Sequence, residues 1–190
     1  MTIPLAVRLT GPAPNLDVKL ERREEPEAFG ALAGVDSKML SAQLAAAAAL
    51  LDEGRYDQAI AAYRDIKAKA PALTLVNLQL GNAHLGKKSY AEAEAAFQEI
   101  LKIDPGFCDA HILLGHTYLE DGKVDEAVKE FEYVIKCDPT SNDAKLGLGM
   151  AHAAKGDTDK AIEYFQSALK LNPKPEKVYY EMGKSYEKKG

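Results

Sequence analysis

The stretch Leu114–Pro139, LGHTYLEDGKVDEAVKEFEYVIKCDP, decides the fold because its spacings return. Moved back by 34 residues, the frame falls on LGNAHLGKKSYAEAEAAFQEILKIDP, Leu80–Pro105, and moved forward by 34 on LGMAHAAKGDTDKAIEYFQSALKLNP, Leu148–Pro173. A further step back gives AAAALLDEGRYDQAIAAYRDIKAKAP, Ala46–Pro71. Four columns keep register. Prolines stand at Pro71, Pro105, Pro139 and Pro173, and alanines at Ala59, Ala93, Ala127 and Ala161. Aromatic rings stand at Tyr63, Phe97, Phe131 and Phe165. Glycines stand at Gly81, Gly115, Gly149 and Gly183, with Ala47 in the first copy.

Each column has a physical reason. The columns fit a copy made of two antiparallel helices, with the glycine column on the first and the alanine column on the second. Small residues on both helices let the backbones approach closely. The ring fills the gap to the next copy, and proline, which cannot donate a backbone hydrogen bond, marks the boundary between copies. The segments DEGRY, GKKSY, EDGKV and AKGDT are the turns within each pair. The pattern predicts helices near 38–53, 56–69, 73–86, 90–103, 107–120, 124–137, 141–154, 158–171 and 175–188. A single pair cannot bury its apolar stripe alone, so the copies must stack.

This period and signature resemble the tetratricopeptide repeat: Leu-Gly, an aromatic three residues on, then Ala, an aromatic four residues later, and Pro. The resemblance covers residues 40–190, as repeats 40–73, 74–107, 108–141 and 142–175 with a partial fifth over 176–190. It implies an all-α fold, a right-handed α-solenoid of antiparallel helix pairs, and a protein–protein interaction scaffold as the function. Two sites depart from the signature. The early aromatic position holds Leu50, His84, Tyr118, His152 and Tyr186, and the Trp position holds Gln43, Asn77, His111, Lys145 and Tyr179.

In this family the first helix of each repeat lines the concave face. Helical spacing then turns repeat positions 2, 5, 9 and 12 to that side. The apolar members make a second stripe beside the core stripe, and a helix apolar on two faces is covered on both or binds something. The expected partner-binding residues are Leu75, Leu78, Asn82 and Leu85 on one first helix, and Ile112, His116 and Leu119 on the next. Leu146, Met150 and Tyr180 follow on the last two. Members that clamp the acidic tails of chaperones carry a Lys and an Asn, a second Asn, then a Lys and an Arg on three first helices. Only Asn82 matches; Leu78, Leu113, Asp143 and Gly147 stand in the other places, so the resemblance does not imply chaperone-tail binding.

Composition bounds the function. The net charge of -5 and pI near 5.5 argue against a phosphate-binding surface, so nucleic acid is not an expected partner. No apolar run reaches the ~20 residues that cross a bilayer, so membrane insertion is not expected. Cys108 and Cys137 lack the CxxC spacing of a zinc site and read as packing residues. His111 and His116 are five apart on one helix, not the four of a helical zinc motif. The one GxG, Gly147–Gly149, falls inside a predicted helix, where it cannot cradle phosphate. An enzyme, a metal or a cofactor is therefore not expected.

The ends differ from the middle. Residues 1–36 precede the repeats, and residues 37–190 form the expected repeat domain. Ile3, Leu5, Val7 and Leu9 alternate, as do Leu16, Val18 and Leu20, which predicts an extended or hairpin-like pair of short strands. That pattern resembles the closing strands of the carboxypeptidase-regulatory-like β-sandwich found before repeat arrays in some exported proteins. The expected location is cytoplasmic, or exported if the chain is a piece of a longer one. The last predicted helix carries Tyr179, Tyr180, Met182 and Tyr186, which suggests self-association or a further repeat. A spacer and a recruitment piece of a larger protein are the alternative functions.

Overall fold

The computed structural model describes residues 37–71, 73–170 and 175–189. The strand pair expected in residues 1–36 and the boundary at Pro173 lie outside them. Among the described residues the fold is all-α, in nine helices. They are α1 Ser37–Asp52, α2 Tyr56–Lys69, α3 Thr74–Gly86, α4 Tyr90–Ile103, α5 Cys108–Glu120, α6 Val124–Cys137, α7 Asn142–Lys155, α8 Thr158–Leu169 and α9 Glu176–Lys189. Every predicted helix is present, with ends within two residues of the expected ones. The chain divides into two compact units, one ending at Ser89 and the other starting at Tyr90.

In the first unit α1 packs on α2 and α2 on α3. Ala47, Ala59, Tyr63 and Ile66 of this unit are essentially inaccessible. Burial pushes the Tyr63 hydroxyl up to about 12, with Asp52 adding to the shift. At the far end of α3, a Cβ added to Gly86 would stand 2.4 Å from Cε1 of Tyr56, so the small residue there makes room for the ring. Lys88 follows with φ 61, a left-handed conformation that β-carbon-bearing residues rarely adopt. Its counterparts in the other repeats are glycines, Gly54 at φ 71, Gly122 at φ 78 and Gly156 at φ 83.

In the second unit each helix from α4 to α8 packs on its successor, and α5 also meets α7 and α7 meets α9. This is the nearest-neighbour stacking by which a solenoid buries each pair's apolar stripe. The alanine column (Ala93, Ala127, Ala161) and the ring column (Phe97, Phe131, Phe165) are fully buried. Phe131 shows how the columns cooperate. Its ring is the nearest neighbour of a Cβ added either to Gly115 of its own pair, at 2.7 Å, or to Gly147 of the next, at 2.4 Å. Phe165 sits against Gly149 in the same way, at 2.4 Å. A ring of this size contributes roughly 1.5–3 kcal/mol on burial, and here the glycines let it bridge two neighbouring pairs.

Polar contacts trim the surface of each unit. The Tyr118 hydroxyl donates to Glu94 Oε1 at 3.0 Å, and Lys123 Nζ lies 3.3 Å from the other carboxylate oxygen. Asp57–Lys87, Asp125–Lys155 and Asp159–Lys189 form ion pairs of one recurring geometry, from the first turn of a second helix to the end of the first helix that follows. All three are exposed and therefore shape the surface more than they stabilise it.

Candidate functional site

The expected binding residues fall on the first helix of each pair, α3 in the first unit and α5, α7 and α9 in the second. On α3, Leu75, Asn82 and Leu85 are half-buried, while Leu78 is only 4% exposed. Leu78 therefore belongs mainly to the core of its unit. On α5, Ile112, His116 and Leu119 are half-buried and recur at helical spacing. On α7, Leu146 is 6% exposed and packs with Ala161, Phe165, Ala168 and Val178, with Met150 and Ala153 against the edge of that cluster. On α9, Tyr180 is 66% exposed, with Lys184 Nζ 5.2 Å from its ring centre.

The second unit thus carries an apolar set of half-buried residues, Ile112, Leu119 and Met150, on helices that touch. His116 lies within it, its ring edge-on to Phe131 at 5.2 Å. Burial, reinforced by the Lys177 charge and opposed by Asp143, pulls its pKa down to about 4. His116 is accordingly neutral at physiological pH and behaves as part of the apolar face. Asp109 and Asp143 stand in the first turns of α5 and α7. Asp109 is exposed as a residue, yet partial desolvation and the charge of Asp143 raise its carboxyl pKa.

The other histidines are engaged in structure. His111 is buried, with Nδ1 2.6 Å from Glu130 Oε2 and Nε2 3.0 Å from the Pro105 carbonyl, and it packs on Tyr133 with ring centres 4.0 Å apart. His152 stacks on Tyr164 at 5.4 Å and reaches Asp157 at 3.3 Å. His84 is buried in α3. Among the described residues no three His, Cys, Asp or Glu side chains converge as metal ligands, and no helix is long and apolar enough to cross a membrane.

Sequence models of the tetratricopeptide repeat match residues 41–72, 75–107 and 112–174. The chain belongs to the tetratricopeptide repeat family. No curated protein matches it. Solved tetratricopeptide repeat structures share its fold. TTC0263, a thermophilic TPR protein in Thermus thermophilus, is 19% identical over 80% of this chain and 83% of its own, with a TM-score of 0.70. MamA from residue 41 to its end, from Desulfovibrio magneticus RS-1, is 22% identical over 79% of this chain and 85% of its own, with a TM-score of 0.67. The Sgt2 TPR domain from Aspergillus fumigatus is 20% identical over 60% of this chain and 78% of its own, with a TM-score of 0.57. A tetratricopeptide repeat array is in general a protein–protein interaction scaffold, because stacked repeats expose long, continuous side-chain surfaces.

Two features escaped the sequence reading. Gly147 lies outside the glycine column, yet it makes a close approach to Phe131. The signal was present, since its counterparts Ala45, Gln79 and Leu113 all carry side chains. The second is the nearness of Cys137 to Cys108 across a helix pair, close enough to raise the pKa of the Cys108 thiol, which the spacing of the two cysteines does not reveal.

Proposed function

We propose that this chain is a non-catalytic scaffold that binds an apolar segment of a partner protein along the first-helix faces of its repeats. The observation that carries the reading is the half-buried set Ile112, Leu119 and Met150 on the touching helices α5 and α7, with the neutral His116 among them. These side chains extend beyond the fully buried columns and keep accessible apolar surface that a peptide would cover. Each large side chain covered contributes roughly 1.5–3 kcal/mol before ordering costs. Leu146 supports this face from within, since its own surface is almost fully covered and Met150 packs against its cluster. Asp109 and Asp143 in the first turns of α5 and α7 favour a segment that carries a basic residue beside its apolar ones.

The test is selection from a displayed random-peptide library on the full chain, with Ile112→Glu selected in parallel. Circular dichroism first shows that the variant keeps its helicity. Apolar peptides enriched on the wild type and not on the variant support the reading. Identical enrichment on both, or none on either, ends it.

A second reading has its own observation. Tyr179, Tyr180 and Tyr186 on α9 are 56%, 66% and 46% exposed. A Cβ added to Gly183 between them meets nothing within 4 Å, whereas its column counterparts Gly115 and Gly149 each face a ring. Such a surface favours self-association. Light scattering across a concentration series, with Tyr180→Ser as control, tests it: a mass independent of concentration rules it out.

A further inference from the structure

We propose that Cys108 and Cys137 form a thiol–disulfide switch that closes the open end of the α5–α6 pair. His111 in the first turn of α5 packs on Tyr133 in the last turn of α6, so the start of one helix faces the end of the other. Residues three or four apart share a helix face. Cys108 is three before His111, and Cys137 is four after Tyr133. One turn outward from the ring pair, therefore, the antiparallel helices bring the two cysteines opposite each other. The two side chains are close enough there for Cys137 to raise the pKa of both the Cys108 thiol and the Tyr133 hydroxyl. Tyr133 is itself tied to the same corner, donating to the Pro105 carbonyl at 3.0 Å.

Both cysteines are free thiols, and they differ in access: Cys137 is exposed and Cys108 half-buried, with its Sγ 3.5 Å from the Gly106 carbonyl. Burial, the neighbouring Cys137 and the charges of Asp109 and Asp138 hold the Cys108 thiol above its usual range. The roles follow. Cys137 as thiolate attacks a small-molecule disulfide, RSSR, forming a mixed disulfide and releasing one RSH once the departing thiolate takes up a proton. Cys108 then gives up its proton and attacks the Cys137 sulfur, releasing the second RSH. Two protein thiols are oxidised and RSSR is reduced to two RSH, and a small dithiol runs the exchange backwards.

The other end of the pair is already closed by the chain itself, through the turn at Gly122. A bond at the open end would lock α5, which bears Ile112 and His116, onto α6. It would also constrain the unfolded chain by a loop of about 30 residues, which raises the melting temperature. The switch does not depend on which partner the apolar face binds.

The test incubates the full chain with oxidised glutathione at about pH 8, where thiolates are available. Intact mass is then read without reductant, and free thiols are counted in denaturant. The expected product has lost two hydrogens, has no free thiol and melts about 5 °C higher than the reduced chain; dithiothreitol restores both thiols. Cys108→Ser and Cys137→Ser each take up one glutathione and show no rise. Wild-type protein that ends as a glutathione adduct, as a disulfide-linked dimer or with both thiols free overturns the proposal, and this reading needs no variant to fold.

Discussion

Phe131 presses its ring against the α7 backbone at Gly147, so closely that a Cβ there would stand 2.4 Å from Cε1 and 2.5 Å from Cζ. The ring is fully buried and also lies against Gly115, which leaves it no free direction in which to yield. Gly147→Ala therefore forces a shift in packing that costs ~1–3 kcal/mol, more than the ~1 kcal/mol that alanine gains over glycine in a helix. Gly183→Ala takes the same gain with nothing within 4 Å to oppose it. Urea unfolding should show opposite signs: Gly147→Ala destabilised, and Gly183→Ala stabilised by up to ~1 kcal/mol. Two changes of the same sign would mean that the ring contact does not limit the fold.

Lys88 takes the turn conformation that Gly54, Gly122 and Gly156 take one, one and two repeats away. A side chain in this region costs ~1–2 kcal/mol relative to glycine, partly offset because glycine leaves the unfolded chain more freedom. Lys88→Gly should raise stability by a few tenths to ~1 kcal/mol, while Gly122→Ala should lower it. Thermal unfolding of the two single variants checks the pair; a loss in both would place an unseen requirement on the Lys88 side chain.

Ser141 precedes α7, and its hydroxyl accepts a hydrogen bond from the Ala144 amide at 3.3 Å. An N-cap of this kind holds one of the amide groups that the first turn leaves unpaired. Ser141→Ala should cost about 1 kcal/mol, and Ser141→Asp should retain the stability. Chemical denaturation of the three proteins separates the cap from simple loss of a surface hydroxyl.

Much of the fold was legible because the repeat samples one geometry four times. A residue that must be small against a ring, such as Gly115 or Gly149, recurs at the same offset, so its constraint shows as a column. Helix ends were legible from the turns and prolines for the same reason. The binding face was less so. Periodicity places a residue on a side of its helix, but the depth to which it sinks depends on neighbouring repeats. Leu146 shares a side with Met150, yet it disappears beneath Ala161, Phe165 and Val178 while Met150 stays half-buried. Leu78 and Asn82 diverge in the same way on α3. Cys108 and Cys137 come near each other only because α5 and α6 run antiparallel with His111 packed on Tyr133, a relationship that lies between elements and not within either.

His116 links the apolar face to pH. Its pKa falls from an ordinary 6.5 to about 4, chiefly because burial disfavours the imidazolium, with Lys177 on α9 adding repulsion and Asp143 on α7 opposing it. Between these values the unfolded chain holds a proton on the ring that the folded chain does not. Acidification therefore favours unfolding: the stability from neutral His116 is complete above about pH 6.5 and is lost as pH falls through that value to about 4. The ceiling on this loss is roughly 3 kcal/mol, from about 1.4 kcal/mol per pH unit. His116→Gln retains a polar side chain of similar size and removes the titration. Urea midpoints measured from pH 7 down to about pH 4 should fall more steeply for the wild type than for His116→Gln. Lys177→Met should soften the wild-type slope, because it removes a charge that holds the ring neutral, and Asp143→Asn should steepen it. Parallel curves for wild type and His116→Gln would mean that the ring is protonated in the folded chain, and the face between α5 and α7 would then be cationic at low pH and not apolar.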